Sequence, residues 1–363
     1  MIDRNILQNI DWILIGLLLL NSVIGVAFIY SSSHYLQGNY YLKQILWILL
    51  GSVVLFLLLS IDYKMLISFS TYFYILALAL LGGVLLFGRL VAGARSWIKL
   101  PFIQFQPSEL MKVALILILA HVFAKFARDY LSWKKGLLVG ALTVVPVLIV
   151  ALQPDLGTAF SYIPICLSAL ILAGINKKIF IYMLVIVLVL SVFVWSFGLR
   201  DYQKKRLTTL FSPEKDPLGS GYHVLQSKIA IGSGGFLGKG YMKGSQSQLR
   251  FLPARHTDFI FSVIGEEFGF VGVTVVLFAY FLFLFRLFQS IGQSRDRAGI
   301  YIIFMVAVMV AYQFFINVMM IIGLFPISGT PLPLLSYGGS SLFTTYLGVS
   351  LVLNVKMRRF VNV

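Results

Sequence analysis

Only 12% of these 363 residues are charged, so the few ionisable side chains at the edges of apolar runs stand out as candidates for chemistry. Arg250-Phe251-Leu252-Pro253-Ala254-Arg255-His256-Thr257-Asp258 leads into the apolar Phe259-Ile260-Phe261. A carboxylate among cations at a membrane surface suits chemistry on an anionic lipid headgroup. Taken alone, Asp258 also reads as a helix-start acid, which the macrodipole favours. Pro107-Ser108-Glu109-Leu110-Met111-Lys112 opens another apolar run, with Pro107 and Ser108 suited to a helix start. Glu109 and Lys112 lie three apart on one helix face, the spacing of an ion pair. Such a pair neutralises two charges, walls a polar cavity, or does both. Gln153-Pro154-Asp155-Leu156-Gly157-Thr158 is a tight turn between two apolar runs, in which Asp155 has a turn-shaping role available to it.

Two further stretches carry polar groups. The loop from Gly323 to Ser341 is broken by Pro and Gly, and it contains Ser336, Gly338, Gly339 and Ser340. Irregular backbone at membrane depth is tolerated where it lines a cavity or is buried in protein. Its amides and hydroxyls could bind sugar or diphosphate oxygens. Arg95 and Trp97, in a short loop ahead of Pro107, complete the candidate binding set. Glu266 and Glu267 lie eight and nine residues past Asp258, a rise of about 12 Å or more, too far to act on the same bond. Gly265, Gly269 and Gly272 beside them permit close helix packing, and the eighth and ninth apolar runs are therefore the expected docking face for a partner helix.

The elements that must position these residues are membrane spans. Hydrophobic residues make up 59% of the chain, against roughly 45–50% in a soluble domain. Runs of about 20 apolar residues occur near 11–30, 44–61, 71–88, 109–126, 137–153, 158–174, 179–199, 258–287, 299–323 and 339–355. The expected fold is an all-α polytopic membrane protein of about ten transmembrane helices, one domain over 1–363. Segment 200–257 is its large extracytoplasmic loop, in which Tyr222, Leu225 and Ile229 recur at the spacing of a membrane-surface helix. With the N-terminus inside, fourteen Lys and Arg fall in inner segments and four in short outer loops, and ten more sit in 200–257. That bias places both termini in the cytoplasm.

The net charge of +16 is spread between apolar runs, which fits topology and anionic lipid better than nucleic acid. The single cysteine, Cys166, excludes an intramolecular disulfide, and no cysteine or histidine cluster makes a metal site. No phosphate-loop, zincin or nucleophile-elbow motif occurs, so nucleotide hydrolysis and serine- or zinc-hydrolase chemistry have no support.

Taken together, the segments resemble the SEDS family (shape, elongation, division and sporulation proteins). The resemblance rests on Gln106 to Lys112, Gln153 to Thr158, Gly232-Ser233-Gly234-Gly235 through Gly240, His256 to Phe261, Pro331-Leu332-Pro333, and Ser336-Tyr337-Gly338-Gly339-Ser340-Ser341. It covers essentially the whole chain. Phe251-Leu252-Pro253 and Gly265-Glu266-Glu267-Phe268-Gly269 look most like the cell-elongation members, with the cell-division members close behind. Ala254 departs from the pattern, since many relatives carry an acid there.

The resemblance implies a peptidoglycan glycosyltransferase that joins lipid II disaccharides into β-1,4 glycan strands, with inversion, at the outer face of the cytoplasmic membrane. Asp258 matches the family's essential acid and becomes the expected general base. Arg250, Arg255, Arg95, Lys112 and the Gly-rich stretch become candidates to hold the leaving diphosphate. The resemblance implies no certain cofactor; a divalent cation (Mg or Mn) is compatible with it. It implies as partners a class B penicillin-binding transpeptidase, other elongation-complex proteins and membrane lipids, and no nucleic acid. A lipid II flippase and a passive scaffold are the alternatives.

Overall fold

The structure is a computed structural model and describes residues 9–36, 38–91, 94–99, 104–125, 133–174, 181, 204, 206, 208–210, 219–249 and 251–359. Helix dominates, because in hydrocarbon every backbone N–H and C=O must find its partner within the segment. The helices are α1 (Trp12–Ser33), α2 (Tyr40–Ser60), α3 (Tyr63–Ser68), α4 (Ser70–Phe87), α5 (Pro107–Lys125), α6 (Trp133–Leu152), α7 (Leu156–Leu172), α8 (Ser220–Ser233), α9 (Ser245–Gln248), α10 (Ile260–Gln289), α11 (Arg297–Ile321) and α12 (Gly339–Met357).

Seven of these are long and apolar enough to cross a membrane, and α7 is a shorter apolar helix. The protein is a multi-pass membrane protein. Nine of the ten expected spans coincide with described helices; the other, 179–199, lies outside the described residues except for Ile181. Burial separates centre from rim. The apolar windows of α5 and α11 are 78% and 67% buried, while those of α2, α4 and α6 are 28%, 28% and 22% buried and present their apolar side chains outward. The last helix, α12, is buried along almost its whole length and packs against α2 and α11.

Four acids that the sequence leaves scattered start helices. Asp11, Asp62, Asp155 and Asp296 each accept a hydrogen bond from a backbone N–H in the first turn of α1, α3, α7 and α11. Asp11 also accepts from Arg286 of α10 and Lys356 of α12. Burial raises the Asp11 carboxyl, but those two cations outweigh it and hold it below the usual range. The start of α1 and the end of α12 therefore meet at one end of the bundle.

Two features were not expected. Ahead of α5 stands a small antiparallel sheet, β1 (Arg89–Val91), β2 (Ala94–Lys99) and β3 (Gln104–Phe105), in the order β1-β2-β3. Strands this short fall below the window in which periodicity is readable. The second is a correction. Gly265 and Gly269 do not offer a face to a partner helix, because the chain's own Gly-rich segment fills it. A Cβ on Gly234 would overlap the Gly265 carbonyl, and one on Gly238 would overlap that of Glu267. Gly269 interrupts α10 at φ +62°, a left-handed conformation that favours glycine, and the N–H groups of Phe270 and Val271 turn to the carbonyls of Gly235 and Phe236.

Candidate functional site

At the end of the bundle opposite Asp11, four stretches from distant parts of the sequence converge. Asp258 lies in the turn just ahead of α10. That turn is built by the Thr257 and Phe259 N–H groups, which donate to the Ala254 carbonyl at 3.1 and 3.3 Å. Asn317, near the end of α11, donates from Nδ2 to the carbonyls of both Asp258 and Thr330, each at 2.9 Å, tying the turn to the loop before α12. Tyr337 N–H donates to the His256 carbonyl at 2.8 Å and adds a second tie. Gly329 lies close to the Asp258 carboxylate, since a Cβ there would stand 4.0 Å from Oδ2.

The Asp155 turn joins from α7. A Cβ on Gly157 would overlap the Ser328 carbonyl, so only glycine lets this turn and the last loop touch. Asp155 Oδ1 accepts from Thr158 N–H at 3.2 Å, and Oδ2 accepts from Gln106 Nε2 at 2.7 Å. Asp155 therefore shapes its turn and also holds the start of α5. Gln106 N–H donates to the Ser340 hydroxyl at 2.9 Å, which fastens α5 to α12. Below it, Lys112 and Glu109 make the ion pair at 2.6 Å, both buried, and Glu109 Oε2 has no hydrogen-bond partner among the described residues. Ser108 is buried, and its carbonyl accepts from Tyr162 of α7 at 2.8 Å.

The loop of Ser336, Gly338 and Gly339 is held by α2. Gln44 donates to the Ser336 carbonyl at 3.1 Å and accepts from Gly338 N–H at 3.4 Å. The Ser336 hydroxyl closes the loop on itself by accepting from Leu332 N–H. Trp47 fills the space over Gly339 that a Cβ would need. His256 packs with Tyr40 and Tyr337, its ring centroid 4.4 and 5.9 Å from theirs.

The electrostatics follow from burial and neighbours. Burial pushes the Asp258 carboxyl up to about 6; the charge of Arg206 opposes the shift and that of Asp155 adds to it. Burial raises Asp155 too, opposed by Thr158 and Lys112 and reinforced by Glu109. Burial lowers His256 to about 4, with Arg255 adding to it, so at neutral pH it is an uncharged imidazole. A half-buried carboxylate near 6 can take a proton at neutral pH better than an ordinary exposed aspartate.

Some expected site residues stand elsewhere. Arg255 is buried, and its guanidinium donates to the carbonyls of Ser32 and Ser247, pinning the loop to the end of α1. Arg95 is exposed on β2 and Trp97 is half-buried there, and no hydrogen bond or ion pair among the described residues joins either to Asp258. Arg250 lies outside the described residues. Thr257, by contrast, stands at the site: its hydroxyl lies 3.1 Å from the Ala254 carbonyl and its side chain also hydrogen-bonds the Asp258 carboxylate, which opposes the rise that burial causes there. Among the described residues there is no group of three or more His, Cys, Asp or Glu side chains that could hold a metal ion.

Sequence reasoning missed Asn317, Gln44 and Arg206. For the two amides a signal existed, since a polar side chain inside an apolar span is costly and marks a contact. For Arg206, one cation among ten in a long loop, none did.

Comparison with known proteins places this geometry in a family. A family model of FtsW, RodA and SpoVE proteins, described as cell cycle protein, matches residues 11–360. The peptidoglycan glycosyltransferase MrdB of Escherichia coli (strain K12) is 38% identical over 319 residues, covering 87% of this chain and 85% of that protein. The peptidoglycan glycosyltransferase RodA of Treponema pallidum (strain Nichols) is 34% identical over 427 residues, covering 97% and 98%. A chain solved within a peptidoglycan synthase complex that coordinates polymerization and crosslinking superposes with a TM-score of 0.83 at 34% identity, covering 97% of this chain and 98% of that one. With its spans, its converging turns and its matched length all in agreement, the chain belongs to the FtsW/RodA/SpoVE family.

Proposed function

We propose that this chain is a peptidoglycan glycosyltransferase that polymerises lipid II in cell elongation, with Asp258 as the general base. The observation that carries the role of Asp258 is its position. It is a half-buried carboxylate, raised to about 6, where four polar turns meet at one end of a membrane bundle.

In this reading the acceptor hydroxyl of one lipid-linked sugar attacks the anomeric carbon of another. The new C–O glycosidic bond forms as the C–O bond to the diphosphate breaks. The hydroxyl proton passes to Asp258, and the bonding electrons leave with the diphosphate. One direct displacement inverts the anomeric centre. Asn317 keeps the Asp258 turn against the last loop, and the Asp155–Gln106–Ser340 chain keeps α5, α7 and α12 in register. Glu109 and Lys112, a buried ion pair, and the loop of Ser336, Gly338 and Gly339 back the site, and in this reading they meet substrate oxygens only once the lipid-linked sugars are bound. No step is routed through a divalent cation.

The Lys/Arg bias supports a cytoplasmic-membrane protein with both termini inside and the site at the outer face. A class B penicillin-binding transpeptidase is the proposed partner, supported by the synthase-complex relative. Replacing Asp258 with Asn keeps size and polarity but removes the base, which is worth about 10²–10⁴-fold in rate. Purified Asp258→Asn protein, given lipid II and its partner in detergent, should lose polymerisation by that factor while folding normally. Full activity would sink the assignment. Detergent removes sidedness, so chain growth by the unaltered protein also separates polymerisation from lipid transport.

A further inference from the structure

The hairpin of α1 and α2 meets the Asp258 turn on two sides. At the end of α1, the Ser32 carbonyl accepts from Arg255 Nε at 2.6 Å. At the start of α2, the Tyr40 ring packs with His256, centroids 4.4 Å apart, and stands edge-on to Tyr337 at 4.9 Å. None of the steps above uses the aromatic side chains that this hairpin carries.

Those side chains touch one another. Tyr41 meets Tyr30 edge-on at 5.1 Å, Tyr30 lies 5.8 Å from His34, and His34 lies 3.6 Å from Tyr35. Tyr40 and Tyr41 are neighbours in the chain, so the rings make one strip. It starts at the base turn and ends on Tyr30 and Tyr35, which are 39% and 66% exposed. Tyr40 is half-buried between its neighbours and ties the strip to the turn, whereas Tyr30 and Tyr35 leave ring surface open. A tyrosine offers an apolar face and a hydroxyl edge. A pyranose offers the same pair, an apolar C–H face and a hydroxyl rim, so the two stack. Anchoring in the headgroup layer, the other use of interfacial tyrosines, asks only for single rings around the rim of a bundle. Here they gather in one hairpin against the base turn.

The far end of the strip selects the sugar. Tyr30 continues the outward stripe of α1, in which Leu20 and Val23 are 48% and 63% exposed to hydrocarbon. The strip therefore joins the base at one end to lipid at the other. In the displacement, the donor's reacting carbon adjoins its diphosphate, so its tail and its reacting atom lie at the same end. The acceptor has its reacting hydroxyl at one end, its prenyl diphosphate at the other and sugar rings between. Only the acceptor matches the strip. The charge agrees: no acid occurs from Tyr30 to Gln44, and exposed Lys43 stands 5.6 Å from the centre of the Tyr40 ring, ready for an anionic diphosphate.

We propose that the aromatic strip of the α1–α2 hairpin binds the sugar rings of the lipid-linked acceptor, presenting its hydroxyl to Asp258 while its prenyl tail stays in the hydrocarbon beside α1. This rests on the glycosyltransferase reading and adds to it the place of the acceptor.

The test compares the full chain with Tyr30→Ala, Tyr35→Ala and the ring-retaining Tyr35→Phe, in nanodiscs of phosphatidylglycerol and phosphatidylethanolamine, which carry no sugar. Both tyrosines are exposed, so their replacement leaves the packed core in place. Lipid II with its acceptor hydroxyl capped serves as donor only. With capped lipid II in excess and the partner present, the KM for uncapped lipid II should rise about tenfold in each alanine variant, the loss of one ring–sugar contact. The kcat and the KM for capped lipid II should hold, and Tyr35→Phe should keep the original KM. An unchanged KM in both alanine variants overturns the proposal, as does a rise for the capped donor instead. Saturation-transfer NMR with N,N′-diacetylchitobiose, a β-1,4 disaccharide, reads the strip without catalysis. Its ring protons should receive saturation from the unaltered chain and lose most of it in Tyr35→Ala. Transfer that is absent, or equal in all the proteins, shows the rings to be membrane anchors and removes the strip while polymerisation persists. Absence of polymerisation with transfer intact removes the enzyme reading, and with it the acceptor role.

Discussion

Asp258 shows how one side chain acquires a task from its surroundings. Burial raises its carboxyl to about 6 while Arg206 restrains the rise. Below that value it is protonated and cannot accept a proton; above it the carboxylate is available. The kcat/KM for polymerisation should therefore climb through pH about 6 and level off above it, as a pH–rate series will show. His256, held down to about 4, stays neutral across that window, so the limb belongs to the carboxylate. Arg206→Gln removes a charge that favours the ionised form, and the limb should move to higher pH. A limb that stays in place would dissociate Arg206 from the site. Asp258 itself was legible in the sequence as an acid between cations and an apolar run. The pairing with Arg206 was not, because about fifty residues of chain separate them.

At the scale of elements, the site is an agreement among turns. Leu334 holds φ +69° although it is not glycine, a conformation kept only where the surroundings over-determine it. Gly25 of α1 packs under that loop, so close that a Cβ would overlap the Leu334 carbonyl. Gly157 meets Ser328 in the same way. Gly157→Ala inserts a methyl against backbone that cannot yield cheaply, an overpacking of about 1–3 kcal/mol. Activity should fall at least tenfold with expression retained, because the last loop is pushed from Asp155 and Asp258. Polymerisation rates and thermal unfolding of the variant check this; an unaltered rate would mean that the contact between the turns does not matter. The sequence marked Gly157 as a turn residue, which is correct for its chain neighbours. It carried no trace of Ser328, 171 positions away.

The whole molecule has polar ends and an apolar body. One end gathers the site. At the other, Asp11 joins α1, α10 and α12 through Arg286 and Lys356, and Tyr63 of α3 donates to Asp296 of α11 at 2.8 Å. Asp11→Asn leaves Lys356 buried without its counter-charge, a loss of about 3 kcal/mol for a buried pair deprived of one partner. The thermal midpoint in detergent should drop, while KM for lipid II stays constant because the site lies at the far end. An unmoved midpoint would show that the three helices are held by packing alone. The lipid-facing helices explain the composition. Side chains such as Phe278, Phe281 and Phe285 of α10 are more than half exposed because hydrocarbon, not protein, surrounds them.

The sequence by itself determined the membrane class, the place of nine of the described helices and the segments that carry the chemistry. Those properties are local: hydrocarbon demands about 20 apolar residues in a row, and a costly charge at a span edge announces itself. The tertiary structure decided which segments meet. It turned Arg255 inward to two carbonyls, filled the Gly265–Gly269 face with the chain's own loop, and brought Arg206 toward Asp258. Each of these depends on contacts between residues far apart in the chain, and side-chain type and spacing carry no record of which distant backbone will come to rest against them.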